Sequence, residues 1–285
     1  MTKLLTVRKQ SWVAQAKPKI ITGGVLAPNM AVSARYEARL YKLINRMISE
    51  TEREVHKLFT SPHAEEYFAM DDTISPQARI LMNGLIAKFD KIFSFNSKPI
   101  AEAFMDESDD AAAASLRLSL KQLSGGLELN TDILTGELKD VIAASIAENV
   151  GLIKSIPEQY LGGVQGAVYR SITTGNGLAD LVPFLQKHKN ITLKRARLIS
   201  NDQTRKVYSN INRVRMEKLG IKKFKWRHSG GGAHPRPLHK NVLDGNIYSF
   251  DDPPVIDEKT GQKGFPGQLI NCRCQMISIM DFSQE

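Results

Sequence analysis

The sequence contains no long apolar run, and this absence excludes an ordinary membrane-spanning chain. No stretch approaches the roughly 18 consecutive apolar residues that mark a transmembrane helix. Residues 1–18 carry several Lys and Arg side chains, but no continuous apolar segment follows them. A secretory signal peptide needs such a segment, so we expect synthesis in the cytoplasm and no membrane partner.

Cysteine is scarce, since only Cys272 and Cys274 occur among 285 residues. Two cysteines cannot build the disulfide framework that supports small secreted domains, so that class of fold is excluded. With 42% hydrophobic and 24% charged residues, the composition is that of an ordinary globular protein. The length is suited to one large domain or two modest ones.

Acidic residues are rare between positions 187 and 228, where the sequence has fourteen Lys or Arg residues but only two acidic residues, Asp202 and Glu217. Together with a net charge of +9, this stripe indicates a polyanion or an acidic surface as neighbour, or else a solvated helix face. Double-stranded DNA would be bound through phosphates, independently of sequence, because Tyr208 alone offers a stacking ring on this helix. The candidate contacts are Lys194, Arg195, Arg197, Arg205, Lys206, Arg213 and Arg215.

The N-terminal half is dominated by helical periodicity. Residues 32–60 place apolar side chains at spacings of three and four, with Ser33 as a suitable N-cap. The predicted apolar seam contains Tyr36, Leu40, Ile44, Met47, Thr51, Val55 and Leu58. Further helices are predicted over residues 76–95, 99–123, 134–154, 157–173, 178–187 and 193–219, the last capped by Thr192 and ended by Gly220.

Beyond Gly220 the period changes from helix to strand. Phe224 and Trp226 alternate with basic residues, and residues 246–250 and 269–280 also have strand character. The predicted fold class is α+β, with a mostly helical N-terminal half and a C-terminal domain of helices packed on a small antiparallel sheet. Three regions are predicted: an extended arm (1–31), a helical region for partner association (32–124) and an α+β domain (125–285).

The stretch from Trp226 to Cys274 concentrates groups that can carry chemistry, because three of the six histidines and both cysteines lie in it. Cys272 and Cys274, two residues apart on a predicted strand, would point to the same side. Thiolates bind zinc tightly, and His234 or His239 can complete a tetrahedral site. The alternative is that both cysteines are small core residues.

Two other interpretations of this stretch remain open. A cysteine or metal-dependent enzyme would use a nucleophile and a base, and the residues of suitable type are His228, His234, His239, Asp244 and Cys272. No spacing orders them into a known triad, so we predict no enzymatic activity. A buried polar network that fixes the loop is favoured, and it needs no cofactor. Its predicted members are Arg236, His239, Asp244, Cys272 and Arg273.

Several short motifs follow one another in a recognisable order. They are Asp202-Gln203-Thr204, Trp226, residues 236–239, Leu243-Asp244-Gly245, Pro253-Pro254, Pro266-Gly267 and Asn271-Cys272-Arg273-Cys274. This order resembles the C-terminal domain of the Mu F-like phage head-morphogenesis, or minor head, proteins over roughly residues 150–280. The chain departs from the family at residues 230–233, where relatives often have Asp-x-Arg, and at Asn201, where an Arg is common.

The resemblance implies a bacteriophage virion protein with a structural role in capsid assembly. It implies a position inside the capsid near the portal, several copies per virion, and partners that include the portal protein and other head proteins. The helical region would make those contacts, and the α+β domain would face capsid or packaged DNA. The alternatives are an enzyme that uses residues 228–274 and a free-standing, sequence-independent DNA-binding protein.

Overall fold

The computed structural model describes residues 20–61, 76–124, 126, 131, 135–232 and 234–281. The first nineteen residues of the predicted arm and Gly125 of the predicted domain boundary therefore lie outside the described residues. Four long helices, α1 to α4, form most of the described chain; they span Met30–Thr60, Pro76–Leu123, Gly136–Thr173 and Leu178–Lys218. Among these residues no helix is long and apolar enough to cross a membrane.

The strands are short and antiparallel. A four-stranded sheet has the order β1-β6-β2-β3, and β4 and β5 form a separate pair. The strands β1 to β6 span Ile20–Leu26, Lys223–Arg227, Ile247–Ser249, Val255–Asp257, Gln262–Lys263 and Gln275–Asp281, and one π-helical turn spans Leu238–Leu243. The predicted α+β class, with helices on a small antiparallel sheet, is confirmed.

Helix α1 begins and packs much as its periodicity predicts. Tyr36, Leu40, Ile44, Met47, Thr51 and Val55 are fully buried in the chain's own core, and Leu58 is partly buried. The predicted N-cap is wrong, because Asn29 caps the helix by accepting a hydrogen bond from the Ala31 amide. Ser33 is buried inside the first turns and donates its hydroxyl to Asn201 of α4.

Three predicted helix breaks are absent within the described residues. Two of these breaks were predicted next to Pro99 and Pro157, which lie inside α2 and α3, and the third was predicted at residues 188–192, through which α4 continues. Pro183 also lies inside α4. An interior proline costs about 3 kcal/mol in lost hydrogen bonding and steric strain. Burial of apolar side chains before and after each proline outweighs that cost. Thr192 is likewise not a cap; its hydroxyl donates to the His188 carbonyl within α4.

Residues 20–26, which belong to the predicted arm, pair with the C-terminal strand β6. The register shifts between Thr22 and Val25, where Gly23 and Gly24 approach α2. The Ser119 hydroxyl donates to the Gly24 carbonyl at 2.8 Å. A Cβ atom on Gly23 would lie 2.5 Å from that hydroxyl oxygen, so glycine is required for this contact.

Helix α4 is the central element of the fold. It packs against α1, α2, α3 and β6, and most of its C-terminal half is buried. A buried chain of hydrogen bonds crosses three helices: Tyr36 donates to Asn149, and Asn149 donates to Gln203. Gln203 in turn donates to Glu148 at 2.8 Å. The opposite side of α4 faces the loops of the C-terminal region, where the candidate site lies.

Candidate functional site

One histidine and both cysteines come together beneath the C-terminal loops. His239 is on the π-helical turn, and Cys272 and Cys274 lie in the turn before β6. The three residues are 2%, 3% and 8% exposed, respectively. The prediction that the cysteines lie on a strand is wrong, since β6 begins at Gln275. A turn that includes Asn271 in the left-handed region directs both thiols inward instead.

The atoms of this cluster converge on one point. The His239 Nδ1 atom lies 3.5 Å from Cys272 Sγ and 3.7 Å from Cys274 Sγ. One ligand atom from each residue lies within 4.8 Å of the other two. On the far side of the ring, His239 Nε2 lies 2.9 Å from the Ile256 carbonyl oxygen, which can only accept a hydrogen bond. In the neutral imidazole Nε2 therefore carries the proton, and the Nδ1 lone pair faces the two sulfurs.

Electrostatic effects in the cluster favour a thiolate. Hydrogen bonding with Cys274, and then with His239, holds the pKa of Cys272 well below its usual range although burial opposes this shift. The hydrogen bond with Cys272 raises the pKa of Cys274, as do burial and the charge on Cys272. Burial alone would lower the pKa of His239, but its hydrogen bonds with Cys272 and Ile256 raise it overall. One proton is thus easily lost from the pair of thiols.

Helix α4 positions the turn that carries the cysteines. The Asp202 carboxylate accepts a hydrogen bond from the Asn271 amide at 2.6 Å, and the Ser209 hydroxyl donates to the Pro266 carbonyl at 2.6 Å. Gly267 has a φ of 84°, and a Cβ atom there would lie 3.3 Å from the Arg205 carbonyl oxygen. The predicted site omitted Asp202, although the Asp202-Gln203-Thr204 motif was a signal for it.

A cavity of about 210 Å³ opens beside the cluster. The cluster forms its floor, and a glycine-rich loop forms its rim. The residues that line it are His228, Gly231, Gly232, His234, Pro235, Arg236, His239, Asn271, Cys272, Arg273 and Cys274. His234, a predicted metal ligand, is exposed on this rim and lies outside the group of converging ligand atoms.

The residues of the predicted polar network take separate positions. His239 and Cys272 are in contact, as that prediction requires. Asp244 accepts a hydrogen bond from the His228 amide at 2.7 Å, and Arg236 donates to the Ile270 carbonyl at 3.1 Å. Arg273 is exposed at the cavity wall. These contacts fix the loops on either side of the cavity, while the buried centre consists of one histidine and two thiols.

Most of the predicted DNA contacts are engaged within the fold. Arg195 donates to Ser155, Arg197 pairs with Glu37, Lys206 with Asp202 and Glu148, Arg213 with Glu217, and Arg215 with Asp109. Arg205 is about half-buried, and burial lowers its pKa. Arg215 is only 3% exposed, so it would reach a polyanion only by breaking its contacts with α2. Lys194 is exposed on the outer face of α4.

Comparisons with known proteins bear on the same region. An uncharacterized protein of Haemophilus influenzae is 29% identical over 255 residues, which cover 88% of this chain and 54% of the relative. The chain thus spans about half the length of that curated relative. No solved structure matches the chain. The family model described as Phage Mu protein F like protein matches residues 162–277, from the second half of α3 into β6. The segment that contains α4, the cavity and the cysteine turn is therefore similar to the Phage Mu protein F like family, as its motifs predict.

Proposed function

We propose that this protein is a phage minor head protein that acts in head morphogenesis, inside the capsid and close to the portal. The observation that carries the proposal is the match of residues 162–277 to the Phage Mu protein F like family. The motifs of that segment also have structural roles in this chain, because Asp202 holds the cysteine turn and Trp226 packs edge-on against His239. The role is association with other head components, in several copies, without a chemical step.

The helical half offers a surface for that association. Ile80 and Phe95 on α2 are 73% and 80% exposed, although both are large and apolar. They are fifteen residues apart, which places them on the same side of a helix and about 22 Å from each other. A partner that packs along this side of α2 would remove both side chains from water, and burial of apolar surface favours association. We assign this side of α2 to the portal protein or to a neighbouring head protein.

Co-purification with the portal protein of the same phage or prophage tests the proposal. The two full-length proteins are expressed together, and the portal protein is captured through a tag. We expect this protein to elute with the portal assembly in a fixed ratio and to be present in assembled heads by mass spectrometry. Absence from both the captured portal and the heads would contradict the proposal.

Two matched variants locate the contact. Ile80→Asp combined with Phe95→Asp should reduce co-elution about tenfold or more, because the charges oppose burial of this side of α2. Leu118→Asp is the control, since Leu118 is 66% exposed on the same helix but turned away from that side. Melting temperatures of both variants should stay close to that of the wild type. Equal loss of binding in both variants would remove this face from the proposal.

Contact with packaged DNA is a second candidate role, and the net charge of +9 favours it. Lys194 and Arg197 are the exposed residues among the predicted contacts, and Arg197 also pairs with Glu37. A duplex DNA mobility-shift experiment should show weak binding at low salt that is lost as salt rises. No shift at low salt would limit the proposal to protein partners.

A further inference from the structure

The cluster of His239, Cys272 and Cys274 brings three atoms of metal-ligand type within 4.8 Å of one another. The Nδ1 atom of a neutral imidazole has one lone pair and accepts one well-directed hydrogen bond. Two sulfur atoms nevertheless lie at almost equal distances from it, 3.5 and 3.7 Å. A hydrogen bond to Nδ1 accounts for at most one of these two contacts.

The two nitrogen–sulfur distances match two edges of a zinc tetrahedron. Zinc lies about 2.3 Å from a thiolate sulfur and about 2.0–2.1 Å from an imidazole nitrogen. With tetrahedral angles these bonds place nitrogen and sulfur about 3.5 Å apart. The two observed separations are close to this value, so a metal ion would need little movement of the three side chains.

The surroundings also suit a metal bound to thiolates. The Ile256 carbonyl orients the His239 ring from behind, as outer hydrogen-bond partners of zinc-bound histidines do. The buried Trp226 Nε1 atom lies beside Cys274 and has no conventional hydrogen-bond partner. A metal-bound Cys274 sulfur would give this N–H group a negatively charged acceptor. The site thus combines three ligands with two supporting contacts.

We propose that His239 Nδ1, Cys272 Sγ and Cys274 Sγ bind a zinc ion, or another divalent transition metal that prefers thiolates, with the fourth position open to solvent in the adjoining cavity. The cavity lies directly beside the three residues, and His234 stands at its rim outside the converging group. Three protein ligands with one open position allow an exogenous ligand to reach the metal.

Metal binding by the reduced, full-length protein tests this proposal. The protein is loaded with Zn²⁺, desalted, and assayed for metal content per chain; a parallel sample is titrated with Co²⁺. We expect one metal per chain and an absorption spectrum with thiolate-to-cobalt charge transfer and intense tetrahedral ligand-field bands. A content well below one metal per chain, or cobalt binding without thiolate bands, would overturn the proposal.

Variants assign the ligands. Cys272→Ser, Cys274→Ser and His239→Ala should each lower the affinity at least about 100-fold, since loss of even an outer-shell partner of a zinc ligand costs about 10–100-fold. His56→Ala on α1 is the matched histidine control and should bind as the wild type does. Equal loss in this control would place the metal elsewhere and overturn the assignment.

Further controls keep the experiment decisive. Far-UV circular dichroism checks each variant for folding, and the cobalt spectrum of the wild type identifies thiolate ligands even where a variant does not fold. His234→Ala should change the affinity less than about twofold; a loss of about tenfold would make His234 the fourth ligand and overturn the open position. Portal co-purification of wild type and Cys272→Ser is measured separately, so failure here leaves the proposed assembly role standing.

Discussion

Two regions of this molecule bury polar side chains, and the contacts of those side chains differ between the two regions. In the helical region donors and acceptors alternate: Tyr36 donates to Asn149, Asn149 to Gln203 and Gln203 to Glu148. In the C-terminal region two thiols converge on the one free lone pair of a histidine. The first set is satisfied by the protein itself. In the second set, three electron-pair donor atoms are directed at one point, where they can coordinate a cation.

The same helix serves both regions. Gln203 of α4 faces the helices, and the adjacent Asp202 holds the cysteine turn through the Asn271 amide. Successive side chains on a helix point about 100° apart, so adjacent residues of one short motif can contact two different parts of the fold. Variants in the helical region should therefore alter stability independently of metal, whereas variants near the turn should alter stability and metal affinity together.

The largest effect is expected from Arg215→Met. Arg215 is 3% exposed and donates to both the carbonyl and the carboxylate of Asp109 on α2, at 3.1 and 3.0 Å. Loss of one partner from a buried ion pair costs several kcal/mol, so we expect the free energy of unfolding to fall by about 3 kcal/mol. Urea denaturation measures it. Lys194→Met, on the exposed face of the same helix, should change it by less than about 0.5 kcal/mol; equal effects would contradict a structural role for Arg215.

Asn149→Ala should have the next largest effect. It leaves the buried Tyr36 hydroxyl and the Gln203 amide oxygen without their partner. We expect a loss of roughly 2 kcal/mol in the free energy of unfolding. The loss should be the same in zinc and in a chelator, because this network lies away from the cysteine turn. A loss that depends on metal would show that the two regions are coupled.

Asp202→Ala should lower both the stability of the protein and its metal affinity. It removes the acceptor of the Asn271 amide, and we expect a loss of about 1 kcal/mol in stability. Because the cysteine turn becomes less ordered, metal affinity should fall about tenfold. Lys206→Met is the matched control, since it removes the ion pair with Asp202 and keeps the hydrogen bond to Asn271. Equal metal affinities in the two variants would contradict the positioning role.

The smallest effect concerns the contact between α1 and α2. Burial tends to raise the pKa of Glu107, but hydrogen bonds from Arg39 and Arg35 outweigh it and hold this pKa below its usual range. A depressed carboxyl pKa contributes stability above the unfolded-state pKa of about 4.3 and loses it as pH falls through the folded-state value. Glu107→Gln should cost about 0.5–1 kcal/mol at pH 7 and nothing at strongly acidic pH.

Denaturation curves of wild type and Glu107→Gln over a range of pH provide the measurement. A difference between the two proteins that persists at strongly acidic pH would show that the Glu107 charge is not its cause. Glu54→Gln is a suitable comparison, because Glu54 also pairs with two basic side chains, but both of these belong to α1 itself and are largely exposed. Its effect should be the smaller of the two.

The predictions of local structure differ in success for physical reasons. The apolar seam of α1 was correct, since a period of three and four residues can be satisfied by one buried helix face. The breaks near Pro99 and Pro157 were wrong, because the cost of a proline is local and the packing that outweighs it comes from other helices. The N-cap was wrong because Asn29 and Ser33 both have capping side chains, and burial of Ser33 decides between them.

The site was predicted in composition but not in arrangement. The metal hypothesis contained His239, Cys272 and Cys274, whose side chains are ligand types by chemistry alone. Sequence could not choose between His234 and His239, since both fall in the predicted loop and only the packing against Trp226 buries one of them. The basic stripe was visible as charge, but its pairing with Glu37, Asp109 and Glu148 depends on helices distant in the chain.

The sequence by itself determined the α+β class, the faces of the helices, the order of motifs that is similar to the Phage Mu protein F like family, and the chemical types available at the site. These follow from local periodicity and from side-chain chemistry. The tertiary structure decided the pairing of residues 20–26 with the last strand, the burial of Arg215 and the convergence of two sulfurs on one nitrogen. Each of these joins residues far apart in the chain, and only the packing of the whole core fixes such distances.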